Sequence, residues 1–187
     1  CAFGNSATSS PVTLSVIPTL PVSLIIGSNP GNTICSGTSV TYTATPSNGG
    51  SNPVYLWKVG GTPVGNSSST YTYTPVNGDI ITCELTSDAI CPTGNPASSN
   101  AIVMTVNPSE PVSITISANP SGPVCAGISV TYTAVVINGG PSPVYLWSVN
   151  GSNVGSNSTY TYTPSNGDII SCQVTSNTNC PTGSPAV

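Results

Sequence analysis

Most of this chain is written twice. The stretch "PVSLIIGSNPGNTICSGTSVTYTATPSNGGSNPVYLWKVGGTPVG" begins at Pro21 and returns from Pro111 as "PVSITISANPSGPVCAGISVTYTAVVINGGPSPVYLWSVNGSNVG", 90 residues on. After a one-residue deletion the offset is 89, so "TYTYTPVNGDIITCELTS" at Thr70 is answered by "TYTYTPSNGDIISCQVTS" at Thr159. A third motif occurs three times: "CAFGNSAT" from Cys1, "CPTGNPAS" from Cys91 and "CPTGSPAV" from Cys180. A period of this length confines the fold to a series of like modules. The expected division is 1–18 as the last strand of a preceding repeat, 19–108 as a complete repeat, and 109–187 as a repeat lacking its last strand.

Three readings of the opening cysteine follow. Cys1 stands at the repeat position of Cys91 and Cys180, which are internal, so the expectation is a window on a longer array. A lipid-anchored start is the weaker reading. In the third, "VTLSVI" (Val12–Ile17) of one subunit completes the open sheet of the next. That is strand addition, and its head-to-tail contact builds filaments.

Within a repeat, β-branched residues and period-2 alternation dominate, with no 3.6-residue period. Turn signals recur at Asn29-Pro30-Gly31, Asn48-Gly49-Gly50, Gly60-Gly61 and Asn77-Gly78-Asp79. Seven short strands per module predict an all-β fold of tandem immunoglobulin-like sandwiches. Strand A is expected at Val22–Gly27, B at Ser39–Ala44, C at Val54–Val59, E at Thr70–Thr74, F at Asp79–Ser87 and G at Ala101–Val106. One poorly marked strand should lie between C and E, and no helix is expected. Alternation turns Val40, Tyr42 and Ala44 inward from B, Tyr55, Trp57 and Val59 from C, and Ile81, Cys83 and Leu85 from F. The expected core residues are therefore Tyr42, Tyr55, Trp57 and Cys83, with Tyr132, Tyr145, Trp147 and Cys172 in the second repeat. Lys58 and Glu84 point outward from neighbouring strands and should pair across them. Their counterparts are Ser148 and Gln173. The connections Pro18–Pro21 and Pro108–Pro111 are stiffened by proline.

Charge narrows the function. There are five carboxylates, one cation (Lys58) and no His or Arg, a net charge of −4. Charged residues make up 3% of the chain, against about 25% in an ordinary domain. One cation cannot neutralise phosphates, which excludes nucleic acid, nor bind an anionic membrane surface. No apolar run reaches the roughly 20 residues of a membrane helix. A catalytic site would lack its usual proton shuttle and anion clamp, and the carboxylates are too dispersed for a calcium cage or a paired-carboxylate site. Asp79 and Asp168 are read as structural hydrogen-bonding groups at the E–F turn. No enzyme activity, cofactor or metal is expected. Asn66, Asn150 and Asn157 stand in N-x-S/T sequons, a weak sign of glycosylation in a Ser- and Asn-rich chain.

Seven cysteines without His predict disulfides and an oxidising compartment. Each repeat has one before B (Cys35, Cys125), one in mid-F (Cys83, Cys172) and one in the F–G connection (Cys91, Cys180). Tyr42 and Tyr132 occupy the mid-B position, so the usual B–F bridge is not available. The favoured pairing is Cys35–Cys91 and Cys125–Cys180, with Cys83 and Cys172 as buried thiols. Against it, the A–B and F–G connections of one sandwich leave from opposite ends. A bridge between successive domains, with Cys35 near Cys180, or one between chains, is the alternative.

At "VCAGISVTYTA…PVYLWSVNGSNVG…YTYTPSNGDIISCQVTS…CPTGSPAV" the chain resembles the Ig-like or PKD-like tandem repeats of giant surface adhesins of the Bacteroidota. The resemblance implies type 9 secretion, display at the cell surface, and a role in attachment, gliding or prey capture. It carries over no catalytic residue. The expected function is a structural segment of an extracellular adhesin or filament, whose partners are adjacent repeats and other copies of itself, with any surface glycan bound at a distal tip. The rivals are a donor-strand-polymerised subunit and a carbohydrate-binding module; the latter needs an exposed aromatic platform, whereas Tyr71 and Tyr73 are expected to pack.

Overall fold

Strands end where the sequence supplies residues able to turn. Gly50 and Gly140 hold φ of 85° and 80° after strand B of each repeat. A Cβ at either would strike the Asp88 or Asn177 side chain, at 1.9 and 2.2 Å, so only glycine fits. In the computed structural model of the chain, residue 4 and residues 6–187 are described, and among them there is no helix.

The first repeat contains β1 (Leu20–Pro21), β2 (Ser23–Asn29), β3 (Thr33–Cys35), β4 (Val40–Ser47), β5 (Val54–Val59), β6 (Thr62–Val64), β7 (Thr70–Tyr73), β8 (Ile80–Thr86), β9 (Pro92–Thr93), β10 (Ala97–Ser98), β11 (Ile102–Val103) and β12 (Thr105–Asn107). One sheet runs β2-β4-β7, the other β10-β8-β5-β6, with β11 also on β8. This is the A-B-E and G-F-C-C′ order of an immunoglobulin-like sandwich, and β6 is the poorly marked strand between C and E. The second repeat follows with β13 (Glu110–Pro111), β14 (Ser113–Asn119), β15 (Val130–Ile137), β16 (Val144–Val149), β17 (Ser152–Gly155), β18 (Thr159–Tyr162), β19 (Ile170–Thr175) and β20 (Pro181–Thr182). Its sheets are β14-β15-β18 and β17-β16-β19.

The expected strand G is two strands. β11 runs antiparallel to β8, with Ile102 opposite Ile81. After Met104, which is 1% exposed, β12 runs parallel to β3, with Asn107 opposite Cys35. Alternation is the same in either partnership, so sequence periodicity does not reveal the change. Residues 6–19 form no strand, because a strand needs a ladder and Val12–Ile17 has none here.

The chain divides into two compact units. One takes the chain to Gly31, Val40–Tyr73 and Asp79–Val103; the other takes Asn32–Ser39, Thr74–Gly78 and Met104–Val187. The core of the first includes Val40, Tyr42, Trp57, Ile81, Cys83 and Leu85, all 0% exposed, and Tyr55 at 8%. Val59 is half-buried. In the second, Trp147, Cys172 and Ala134 form the buried centre, with Tyr132, Tyr145 and Tyr160 packed on it. Tyr132 and Tyr145 are half-buried there.

Candidate functional site

The second unit holds a covalent cross-link. Cys35 closes β3 and is bonded to Cys180, 145 residues away, with Cα atoms 5.5 Å apart. This corrects the favoured Cys35–Cys91 and Cys125–Cys180 pairing and matches the alternative. The A–B and F–G connections leave opposite ends of one sandwich, and a disulfide needs Cα atoms within about 7 Å. Cys91 and Cys125 are free and exposed; Cys83 and Cys172 are free and buried. Burial pushes the Cys83 thiol up to about 11 and raises that of Cys172. Both are poor nucleophiles at neutral pH.

Both members of the bridge are held by backbone. Ser36 N donates to Asn107 O at 2.8 Å, and Thr105 N to Asn32 O at 2.7 Å, bracketing the β3–β12 ladder. Val106 N donates to the Asn77 side-chain oxygen at 3.0 Å, and Gly78 N to Met104 O at 2.9 Å. On the other side, β13 runs parallel to β20, and Glu110 N donates to Cys180 O at 2.8 Å. The stretch Met104–Pro111 is thus tied down along its length.

The aromatic residues form ladders rather than a platform. Tyr42 and Trp57 lie 6.4 Å apart between ring centroids. Tyr71 stacks on Trp57 at 6.0 Å and on Tyr73 at 5.2 Å. The second unit repeats this with Tyr132, Trp147, Tyr160 and Tyr162. Each Trp indole donates across a turn: Trp57 to Ser68 O and Trp147 to Asn157 O, both at 2.8 Å. Such offset contacts add to the stabilisation from burial.

The carboxylates hold turns. Asp88 accepts from Asn52 N at 3.0 Å, which keeps its pKa below the usual carboxylate value. Asp168 accepts from Ser165 N at 2.7 Å, from Asn150 Nδ2 at 2.8 Å and from the Tyr162 hydroxyl at 3.2 Å; the Ser165 amide does most to lower its pKa. Asp79 accepts from the Tyr73 hydroxyl at 2.9 Å. Lys58 Nζ lies 2.6 Å from Glu84 Oε1; in the second repeat Ser148, at the position of Lys58, has its hydroxyl 2.7 Å from that of Ser171, the counterpart of Thr82. Among the described residues no group of three or more His, Cys, Asp or Glu could hold a metal. Asn66 and Asn157 are exposed. Asn150 is exposed too, but its amide is engaged, donating to Asp168 and accepting from Ile169 N.

Sequence reasoning missed the ladder between β3 and β12 and the open recess beside Cys125. That recess, about 660 Å³, is lined by residues of the second unit that include Tyr132, Asn166 and Gly167, and it accounts for the partial exposure of Tyr132.

No family model and no curated protein matches the chain. Among solved structures it is similar to the three N-terminal domains of the highly immunogenic outer capsid protein of bacteriophage RB49, at 17% identity and TM-score 0.41, over 84% of this chain and 55% of that one. It is also similar to the human OSCAR ligand-binding domain, at 13% identity and TM-score 0.36, over 87% and 93%. A third likeness is to the fibronectin(III)-like modules of Clostridium thermocellum CbhA, at 16% identity and TM-score 0.35, over 85% and 87%. The chain spans about half of the phage protein fragment. At these TM-scores the likenesses add nothing to the fold assignment, which rests on strand order.

Proposed function

We propose that the chain is a load-bearing segment of a long extracellular repeat protein, of the surface-adhesin type its repeats resemble, and that its work is mechanical rather than catalytic. The observation that carries this reading is the covalent closure of Cys35 on Cys180 across a proline-marked, hydrogen-bonded connection. Disulfides persist in oxidising compartments, which suits secretion, by the type 9 route in that family, and display at the cell surface. A surface with 3% charged residues responds little to salt and suits side-by-side association with other copies. Adjacent repeats are the partners. A glycan, where one is bound, belongs to a distal tip.

Pulling single molecules by their ends tests the reading. The bridge holds 145 residues out of the extensible path. In oxidising buffer the chain should resist full extension, and a thiol reductant should release about 500 Å of contour, at ~3.4 Å per residue. Full extension without reductant would overturn the mechanical reading, as would reproducible binding of the isolated chain on a glycan array.

A further inference from the structure

The first repeat turns an apolar face to water and sets one ion pair in it. Strand β5 sends Tyr55 and Trp57 into the core, and β8 sends Ile81, Cys83 and Leu85. Alternation therefore puts Val54, Leu56 and Lys58 of β5 on the opposite, outward face, with Ile80, Thr82 and Glu84 of β8. The register places Leu56 opposite Glu84 and Lys58 opposite Thr82. Lys58 Nζ thus reaches diagonally across the two strands to Glu84 Oε1, at 2.6 Å. Around the pair, Val54 is 53%, Leu56 42% and Ile80 45% exposed.

The second repeat keeps the apolar part of this face and drops the charges. Val144, Leu146 and Ile169 stand at the positions of Val54, Leu56 and Ile80 and are exposed as well. Ser148 and Gln173 stand at those of Lys58 and Glu84. The water-facing side of an antiparallel sheet ordinarily carries polar residues. Valine, leucine and isoleucine exposed at the same three positions in both repeats mark a contact surface instead.

Charge points to the occupant. Lys58 is the only cationic side chain, against five carboxylates, and it lies beside Glu84 in the middle of the apolar face. The face has no net charge, so a strongly acidic or basic partner would bury charge against it without compensation. A second copy matches it. In a two-fold contact residue i meets j and j meets i, so Lys58 of each copy can stand against Glu84 of the other. A contact that set Lys58 against Lys58 would juxtapose like charges, which is costly. The second repeat offers the same apolar residues with no charge among them. The pair therefore distinguishes one face from the other and fixes which two meet.

We propose that the outward face of β5 and β8 is the surface by which two copies of this chain lie side by side. Lys58 and Glu84 of each copy are set against Glu84 and Lys58 of the other, and Val54, Leu56 and Ile80 are buried around them. The proposal rests on the mechanical reading, in which copies associate laterally, and names the face through which they do so. It also gives the ion pair a role that the fold does not. An exposed pair contributes little to the stability of one chain, whereas across an interface it selects the partner and the register.

The test is sedimentation equilibrium of the full chain, its accessible thiols alkylated so that disulfides do not join copies. The mass should rise from 18.6 kDa toward twice that value with concentration. Lys58→Glu and Glu84→Lys should each weaken self-association by about tenfold or more, with thermal melts showing both chains folded. An equimolar mixture of the two should restore the dimer, because one copy then offers two carboxylates and the other two ammonium groups. The swapped chain, Lys58→Glu with Glu84→Lys, should associate as the parent does. Leu56→Ser should weaken pairing, and Leu146→Ser, the matching change in the second repeat, should not. A parent chain that stays at 18.6 kDa up to about 1 mM would overturn the proposal. So would association that the single reversals leave unchanged, that their mixture does not restore, or that Leu146→Ser weakens more than Leu56→Ser does. Pulling on single molecules does not involve this face, so the pairing can fail while the mechanical reading stands. A dimer of a chain that extends fully without reductant would show the reverse.

Discussion

Asp88 and Asn177 stand at the same position of the two repeats and hold the same turn. Asp88 accepts from the backbone of Asn52, and Asn177 accepts from the backbone of Ser142 at 3.2 Å. Each leans over the glycine, Gly50 or Gly140, that leaves no room for a Cβ. A carboxylate and an amide thus do one job, because the job needs only an acceptor oxygen.

Asp88→Asn should therefore keep the fold with only a small drop in melting temperature at neutral pH, while Asp88→Ala should lower the melting temperature further. The charged form is the better acceptor, which depresses the folded pKa. Its contribution is complete above the ordinary value of 3.8 and is lost as pH falls through the folded value. Thermal melts from pH 7 to 2 should show a shallower acid loss in Asp88→Asn. Asp168, lowered in the same sense, retains its own share.

Trp57 separates packing from hydrogen bonding. Trp57→Phe keeps a ring against Tyr42 and Tyr71 but leaves Ser68 O without its donor, a cost of about 1–3 kcal/mol. Trp57→Ala should cost about 3–5 kcal/mol, since the side chain is wholly buried. Urea denaturation followed by circular dichroism reads both. Equal losses would mean that the indole hydrogen bond carries the stabilisation.

The alkaline limb of stability should be steep. Burial raises the Cys83 thiol to about 11 from an ordinary 9.0, and it raises Tyr42, Tyr55 and Tyr73 above 10.0. Tyr162, half-buried and bonded to Asp168, is raised to about 12. The folded state holds these protons more tightly than the unfolded chain, so their contribution is complete below pH 9 and is lost as pH rises through the folded values. Denaturation midpoints should hold constant to about pH 9 and fall above it. Cys83→Ala together with Cys172→Ala, whose thiol is raised in the same sense, should delay the onset toward the tyrosine range.

The Lys58–Glu84 pair should matter little. Its side chains are 24% and 36% exposed, and such pairs contribute about 0.2–1 kcal/mol. The double substitution Lys58→Ser with Glu84→Gln reproduces the pattern of the second repeat. A double-mutant cycle should give a coupling below about 1 kcal/mol that shrinks in salt.

Much of this architecture was legible because it is local. Strand C was expected at Val54–Val59, and β5 has those bounds, since alternation and flanking turn residues act within a few positions. Strand F was expected one residue too long at each end, and β8 is Ile80–Thr86. Strand G was misread because Ile102–Asn107 alternates identically whether it pairs with β8 or with β3. The recess beside Cys125 was not legible at all, since its walls come from the separate segments 118–132 and 163–168.

The sequence alone determined the repeat, the all-β class, the strands of each sandwich and the residue types that fill their cores, because period-2 alternation and turn chemistry are properties of neighbouring residues. Only the tertiary structure decided which cysteine meets which and where the last strand changes partner. Cys35 and Cys91 lie within one repeat and stay apart, whereas Cys35 and Cys180 are separated by 145 residues and are bonded. The physical reason is that a disulfide answers to distance in space, and that distance is set by the end of the sandwich from which each loop leaves, not by separation along the chain.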